Sequence, residues 1–152
     1  DLATVVIDSN WGYGESVVSG EVTPDQFHVN KVTLEVTKKT VSDKAIYYTT
    51  DPETDEVKKL EVDSERRSSQ SLLDKEIIEL AEMAKRIEQH YGKPMDIEWA
   101  TEKSLPFKGE IYIVQSRPET VWSQKEVKPV VEPKGSALEH IVAGLMKGRK
   151  IK

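Results

Sequence analysis

The chain of 152 residues contains no cysteine and only three histidines. The lack of cysteine excludes disulfide bonds, thiolate nucleophiles and cysteine-ligated zinc. His28, His90 and His140 lie far apart in the sequence and form neither an HExxH or HxxxH spacing nor a Ser/His/Asp arrangement. Each histidine is therefore predicted to be a surface or packing residue rather than a nucleophile or a metal ligand.

Long hydrophobic runs are also missing. No stretch of 18 apolar residues occurs and no signal-peptide pattern opens the chain, so we expect a cytoplasmic protein that does not bind membranes. The net charge is −5, of which residues 134–152 carry +4 and the remainder −9. This acidic body argues against nucleic acid as the main partner.

The length is that of one domain with a sizeable core. The chain opens with Asp1 rather than with Met and enters the apolar run Val5-Val6-Ile7 at once. We therefore expect a piece of a larger protein, whose missing part packs against the residues present here.

Hydrophobic periodicity predicts an α+β fold with an antiparallel sheet and one long packed helix. The helix is expected from Leu72 or Asp74 to Tyr91, with Ser71 or Asp74 as its cap, and Gly92 followed by Pro94 ends it. A buried strand is predicted at residues 3–8. An antiparallel meander is predicted to follow, with strands at residues 26–30, 32–37, 45–50 and 57–62.

The domain organisation is predicted from a change in composition near residue 122. Residues 1–122 form the domain, residues 123–135 are rich in Lys, Glu, Val and Pro and read as a linker, and residues 136–152 form a short amphipathic helical tail. Residues 64–71 are predicted to be a polar loop. In this loop Arg66 and Arg67 either bind an anion or are simply solvated.

Residues 94–120 carry the most informative pattern. Residues 95–100 and 110–117 alternate in polarity around a connection that contains Pro and Gly, which predicts an antiparallel hairpin. Alternation places three residues on one side of the first strand, namely Asp96, Glu98 and Ala100. It places four residues on one side of the second strand, namely Ile111, Ile113, Gln115 and Arg117.

A register that sets Glu98 near Gln115 brings a carboxylate, an amide oxygen and the Arg117 guanidinium to one patch. Such a patch is costly to bury without a partner. Oxygen donors suit Mg²⁺, which is held by one or two protein oxygens plus phosphates, and an Arg fork suits phosphate oxygens. The pattern predicts a magnesium–phosphate site, with a surface ion pair between Glu98 and Arg117 as the alternative.

The glycine-rich loop, residues 10–20, directly follows the first predicted strand. Its three glycines allow backbone conformations closed to other residues and a close approach to a ligand. The loop is neither a P-loop nor a dinucleotide fingerprint, so a tight turn between strands remains the alternative. Glu15 in this loop is placed to hold a ribose hydroxyl or a metal ion.

Three segments together resemble a known family. They are NWGYGESVVSGEVTPD (residues 10–25), IEQHYGKPMDIEWA (87–100) and IVQSRPETV (113–121), and they resemble the ATP-binding domain of phosphoenolpyruvate synthases and pyruvate phosphate dikinases. The resemblance spans residues 4–122 and implies the C-terminal lobe of an ATP-grasp-like fold. It implies that Glu98 and Gln115 hold Mg²⁺, that Arg117 contacts the transferred phosphate, and that Gly12, Gly14 and Glu15 lie beside ATP.

The family functions with parts that this sequence does not match. They are an N-terminal lobe, a domain with a phosphorylated His and a pyruvate-binding barrel. The resemblance implies formation of phosphoenolpyruvate, AMP and phosphate from ATP, pyruvate and water. Phenylphosphate synthase and rifampin phosphotransferase resemble the same domain, so another acceptor is an alternative. A third reading is an inactive lobe that acts as an interaction module, including as a homo-oligomer. The connection at residues 101–109 is longer than is usual in the family.

Overall fold

The computed structural model describes residues 2–102 and 109–119, all within one compact unit, Asp1–Glu119. The predicted linker, the predicted tail helix and most of the connection after residue 101 lie outside the described residues. The elements in chain order are β1 (Thr4–Ser9), α1 (Glu15–Val18), β2 (Asp25–Asn30), β3 (Val36–Thr40), β4 (Ile46–Thr50), β5 (Val57–Glu61), α2 (Ser64–Arg67), α3 (Asp74–Tyr91), β6 (Met95–Thr101) and β7 (Ile111–Pro118).

The described residues form an α+β fold with antiparallel strand pairs, as the periodicity predicted. The strands belong to three separate sheets, β1-β2-β3, β4-β5 and β6-β7. The predicted single meander is therefore wrong, because β4 pairs with β5 rather than with β3. Within the described part of the chain, no helix has the length and apolar character needed to cross a lipid bilayer.

The core lies where α3 packs against two of these sheets. Ile7 of β1 and Phe27 and Val29 of β2 are buried against one helix face, and Ile111 of β7 joins the same cluster. The helix and the turn before it contribute Leu72, Ile77, Leu80 and Ala81. Helix α3 thus holds both the β1-β2-β3 sheet and the β6-β7 hairpin, since its apolar stripe contacts both.

Strand β1 is buried on one face only, which corrects the predicted fully buried strand. Ile7 and Ser9 point inward, whereas Val6 is 52% exposed on the outer face. Such alternation is typical of an antiparallel strand with one solvated face.

Strand β3 begins later than predicted, at Val36 rather than at residue 32. The preceding residues form a turn in which Asn30 Oδ1 accepts hydrogen bonds from the backbone N–H groups of Val32 (2.8 Å) and Thr33 (3.0 Å). Leu34 adopts a left-handed conformation (φ 57°). This Asx-type turn competes with strand pairing, which explains the difference.

Helix α3 spans the predicted range, but the predicted capping by Ser71 or Asp74 is wrong. Leu73 is the N-cap residue, and its N–H donates to the Glu76 carboxylate at 2.6 Å. The C-terminus is as predicted, since Gly92 takes the left-handed conformation (φ 67°) and its N–H donates to the Glu88 carbonyl. Helix α2 occupies part of the predicted loop because Asp63 caps it through the Arg66 N–H.

Candidate functional site

The β6-β7 hairpin brings four polar side chains onto one exposed face. In the antiparallel register Asp96 is the Cα partner of Arg117, and Glu98 is the Cα partner of Gln115. Directly paired residues of antiparallel strands share a face, so these four side chains project together. We call them the hairpin patch. All four residues are exposed, whereas their neighbours Ile97 and Trp99 are partly buried, and Trp99 packs against the core.

A β-bulge in β7 corrects the predicted alternation. Glu98 pairs with Gln115, but the next residue, Trp99, pairs with Ile113, so Val114 is an extra residue without a partner. Ile113 therefore shares the inner face with Trp99, whereas Gln115 of the same strand points to the other face. The prediction that Ile111 and Ile113 share a face with Gln115 and Arg117 is wrong, and the bulge is the physical reason.

Arg117 is paired with Asp96 rather than with Glu98, the partner named in the ion-pair alternative. Its Nε atom lies 3.8 Å from Asp96 Oδ2, with the two side chains 62% and 50% exposed. The side chains of Glu98 and Gln115 have no hydrogen-bonded or ionic partner within residues 2–102 and 109–119. Alternation placed Asp96 on the same face as Glu98 but suggested no role for it, although the spacing of two residues between them was a usable signal.

The donor chemistry of the hairpin patch fits Mg²⁺. Glu98 offers carboxylate oxygens and Gln115 an amide oxygen from adjacent positions on an open surface. No cluster of three His, Asp or Glu residues able to enclose a metal occurs in the described residues. Two protein oxygens with the remaining positions left to phosphate and water match the usual coordination of Mg²⁺ in nucleotide sites.

Gly12 of the glycine-rich loop is required by packing against β4. Its φ is +66°, and a Cβ atom at this position would lie 2.1 Å from the backbone oxygen of Tyr48. The neighbouring Tyr13 N–H donates to the same oxygen at 2.9 Å. No side chain is compatible with this approach, so the residue type at position 12 follows from the loop's contact with β4.

Gly14 and Glu15 are not explained by packing. Gly14 has an ordinary helical conformation (φ −66°) as the N-cap of α1, and a Cβ atom there would meet nothing within 4 Å. Glu15, the first residue of α1, is exposed. Ser16 behind them is buried and accepts a hydrogen bond from Asn10 Nδ2 at 3.0 Å. The exposed segment at Gly14 and Glu15 therefore lies on a supported backbone.

Arg66 and Arg67 were predicted either to bind an anion or to be simply solvated, and each contacts another side chain instead. Arg67 makes a bidentate contact with Asp43. The Arg66 guanidinium lies 4.4 Å from the centre of the Trp11 ring, and Trp11 Nε1 donates to the Arg66 carbonyl at 3.2 Å. The contacts of Arg66 with Trp11 fasten the start of the glycine-rich loop to α2.

A buried polar cluster was missed by sequence reasoning. Asp25 and Lys44 are both fully buried, and Asp25 Oδ1 accepts hydrogen bonds from Lys44 Nζ (2.7 Å) and the Ser42 N–H (2.9 Å). Its Oδ2 accepts from the Ser71 N–H (2.8 Å) and hydroxyl (2.7 Å), and that hydroxyl also contacts Ser9. The cluster joins the ends of β1 and β2 to the segment before α3. Asp25 alternates with Phe27 and Val29 on the buried face of β2, and a carboxylate in such a position could have indicated a buried polar cluster.

The ionisation of Asp25 follows from these contacts. Burial alone would raise its pKa, but the hydrogen bond from Lys44, and after it those from Ser42 and Ser71, outweigh this and lower the pKa below its ordinary value. Both carboxylate oxygens have partners, so the buried charge is compensated. The cluster stabilises the backbone on which the glycine-rich loop begins.

Comparison with known proteins gives one family. The model of the pyruvate phosphate dikinase AMP/ATP-binding domain matches residues 1–137. This range includes the glycine-rich loop, the buried cluster and the hairpin patch.

Similar curated proteins are phosphoenolpyruvate synthases. A probable phosphoenolpyruvate synthase of Methanocaldococcus jannaschii is 47% identical over 116 residues, 76% of this chain and 9% of its own length. Phosphoenolpyruvate synthase of Escherichia coli is 44% identical over 131 residues, 81% of this chain and 16% of its own length. A probable phosphoenolpyruvate synthase of Staphylothermus marinus is 39% identical over 153 residues, 88% of this chain and 18% of its own length. The chain therefore spans less than a fifth of each of these three relatives.

Proposed function

Because the chain belongs to the pyruvate phosphate dikinase AMP/ATP-binding domain family, we propose that it is the C-terminal, ATP-grasp-like lobe of the ATP-binding domain of a phosphoenolpyruvate synthase-like enzyme. Its role is to bind Mg²⁺ and ATP for phosphoryl transfer. The relatives reported above carry the name phosphoenolpyruvate synthase, which favours this enzyme over dikinases with another acceptor.

One observation supports the proposal more than any other. Glu98 faces Gln115, and Asp96 faces Arg117, on one exposed side of the β6-β7 hairpin. A carboxylate, an amide and a guanidinium at adjacent positions form the set of groups that a metal-bound polyphosphate needs. Their exposure leaves room for such a ligand.

Glu98 and Gln115 are the proposed metal-holding residues. When bound there, Mg²⁺ supplies positive charge that reduces repulsion between the phosphate groups. Arg117 donates hydrogen bonds to the oxygens of the phosphoryl group in transfer, where its fixed charge is most effective. Asp96 orients the Arg117 guanidinium through the ion pair at 3.8 Å. None of these residues acts as a nucleophile.

The glycine-rich loop is proposed to lie beside ATP through Gly12, Gly14 and Glu15. Gly12 contributes through its contact with Tyr48, because this contact fixes the backbone before Gly14. The exposed Glu15 carboxylate is suited to accept hydrogen bonds from ribose hydroxyls. Because Gly14 has no side chain, it leaves the backbone beside Glu15 open to a close approach by the nucleotide.

The proposed overall reaction converts ATP, pyruvate and water into phosphoenolpyruvate, AMP and phosphate, through a phosphohistidine on another domain. The chain covers 9–18% of the relatives reported above, which is consistent with partner domains elsewhere in a longer enzyme. Those domains supply the second ATP-binding lobe, the histidine and the pyruvate site.

The test is AMP formation from ATP and Mg²⁺ by the enzyme that contains residues 1–152, measured with and without pyruvate. We expect AMP and phosphoenolpyruvate in equal amounts when pyruvate is present. AMP formed only with a different acceptor, such as phenol or a rifamycin, would assign the domain to a related dikinase. The lack of AMP under every condition would reject the proposal.

A further inference from the structure

The glycine-rich loop is fastened to the β4-β5 hairpin by side chains as well as by the Tyr48 carbonyl. Glu21, which follows α1, accepts a hydrogen bond from Tyr48 Oη at its Oε2 atom (2.5 Å) and one from Lys59 Nζ at its Oε1 atom (2.7 Å). Tyr48 and Lys59 are Cα partners, so they share one face of the hairpin. A single carboxylate, directly after the last residue of the loop, thus contacts both strands. We call Glu21, Tyr48 and Lys59 the Glu21 cluster.

A second set of contacts fastens the other end of the loop to the same hairpin. The Tyr13 N–H donates to the Tyr48 carbonyl at 2.9 Å, and the Tyr13 hydroxyl is hydrogen-bonded to Thr50 Oγ1. Thr50 and Tyr48 lie two residues apart on β4 and therefore face the same side. The exposed residues Gly14 and Glu15 are held between the two sets of contacts.

The contacts of the Glu21 cluster persist at neutral pH. The hydrogen bond from Lys59, followed by that from Tyr48, lowers the pKa of Glu21, and the same contact with Glu21 raises the pKa of Lys59. The carboxylate is 38% exposed and the lysine 50% exposed, and ion pairs this open add little to global stability. Their effect is therefore local, on the position of the loop.

We propose that Glu21, Tyr48 and Lys59 are positioning residues that hold the glycine-rich loop in the conformation that receives the nucleotide. The inference rests on the proposed function, because it takes this loop to lie beside ATP. A loop that is already ordered binds without the entropy cost of ordering at that moment. Loss of the cluster should therefore weaken ATP binding and leave the chemical step unchanged.

Charge reversal tests this inference in the enzyme that contains residues 1–152. The single variants Glu21→Lys and Lys59→Glu each place two like charges together. We expect each to raise KM for Mg·ATP about tenfold with kcat changed less than about twofold, a coupling within the usual range for residues in contact. The double variant, which restores opposite charges, should recover most of the loss. Tyr48→Phe, which removes one hydrogen bond, should have a smaller effect of the same kind.

A matched control is Lys58→Glu, the same charge change one residue earlier on β5. Lys58 faces Asp51 rather than the loop, so KM for Mg·ATP should remain as in the parent enzyme. An equal increase in KM for Lys58→Glu, or a double reversal that recovers nothing, would overturn the inference.

The loop itself can be observed without nucleotide through Trp11, one of three tryptophans. In protein labelled with 5-fluorotryptophan, the ¹⁹F resonance assigned by Trp11→Phe should shift or broaden in each single variant and return in the double variant. An unchanged Trp11 resonance would show that the cluster does not hold the loop. A changed resonance with unchanged KM would show that the loop does not position ATP. Neither result bears on the hairpin patch, whose role is tested separately by the dependence of turnover on Glu98.

Discussion

Asp96 and Arg117 stand directly opposite each other in the β6-β7 ladder, with Asp96 Oδ2 3.8 Å from Arg117 Nε. This distance exceeds the 2.7–2.9 Å of a charge-assisted hydrogen bond. The carboxylate therefore lies beside the guanidinium without occupying its donors at short range. The N–H groups of Arg117 remain accessible on the exposed face.

Substitution of Arg117 by Lys tests this arrangement. Lysine keeps the positive charge but lacks the planar fork that binds two phosphate oxygens at once. We expect phosphoryl transfer from ATP to fall by about 10²- to 10³-fold, as for other arginines that stabilise charge in transfer. The measurement is kcat for AMP formation by the enzyme that contains the domain, with the melting temperature of each variant.

The control for this prediction is Arg86→Lys on the exposed face of α3. It makes the same chemical change away from the hairpin patch and should leave both kcat and the melting temperature unchanged. If Arg117→Lys retained most of the parent rate, Arg117 would be only a surface ion-pair partner of Asp96.

Substitution of Glu98 by Gln tests the metal site. The change keeps the shape of the side chain and removes the charge that attracts a divalent cation. We expect turnover to fall at least about 100-fold at millimolar Mg²⁺ and to recover in part as Mg²⁺ is raised, because the metal affinity is what is lost. Initial rates of AMP formation across a magnesium titration provide the measurement.

Glu79→Gln on the exposed face of α3 is the matched control and should not alter the magnesium dependence. Chelation of the metal should abolish turnover in the parent enzyme and in this control alike. A Glu98→Gln variant with the parent magnesium curve would remove Glu98 from the metal site.

The hairpin shows how far sequence reasoning reaches. Alternation located both strands and grouped the side chains of each strand by face, because side-chain direction has a period of two in any regular strand. The register that places Glu98 near Gln115 was a hypothesis, and the ladder has this pairing. The same rule gave the wrong face for Ile111 and Ile113, because one extra residue, Val114, reverses the alternation. A bulge is a feature of how two strands pair, and that pairing is not encoded in the local periodicity of either strand.

The contacts between distant segments could not be predicted from the sequence for a related reason. Gly12 contacts the carbonyl of Tyr48 on β4. Asp25 contacts Lys44, 19 residues away, and Ser71, 46 residues away. The composition of residues 10–20 identified the glycine-rich loop, but local sequence does not specify which distant partner a residue meets. These tertiary contacts decide which residues of the loop are structural and which remain available to a ligand.

The two glycines of the loop are expected to respond differently to alanine. Gly12→Ala introduces a Cβ atom 2.1 Å from the Tyr48 oxygen in a left-handed conformation, so the loop must leave β4. Gly14→Ala places a Cβ atom in open space at φ −66° and should change stability by less than about 1 kcal/mol. Urea unfolding of both variants, together with the Trp11 fluorine resonance, measures the difference.

The affinity of each variant for Mg·ATP then distinguishes a structural role of the glycine from direct contact with the nucleotide. Gly14→Ala should weaken Mg·ATP binding although the fold is intact, if the backbone at Gly14 approaches the nucleotide. Gly12→Ala should weaken it through displacement of the loop. Equal stability of the two variants would contradict the close contact between Gly12 and Tyr48, and full ATP affinity of Gly14→Ala would remove Gly14 from the nucleotide site.

The buried pair of Asp25 and Lys44 is expected to control the stability of the chain and its response to acid. Asp25→Asn leaves the Lys44 ammonium buried without a negative partner, which should cost about 3–5 kcal/mol at neutral pH. Asp43→Asn makes the same change at an exposed carboxylate paired with Arg67 and should alter stability little. Urea unfolding at pH 7 gives the free energies.

The pH dependence follows from the lowered pKa of Asp25. The unfolded chain has an Asp pKa of about 3.9, so the contribution of Asp25 is fully present above that pH and is lost as pH falls through the lower folded value. The difference in unfolding free energy between the parent and Asp25→Asn should therefore be constant from pH 5 to 7 and shrink below about pH 4. A difference that stayed constant down to pH 2, or one that grew on acidification, would show that the folded protein does not hold this carboxylate ionised against Lys44.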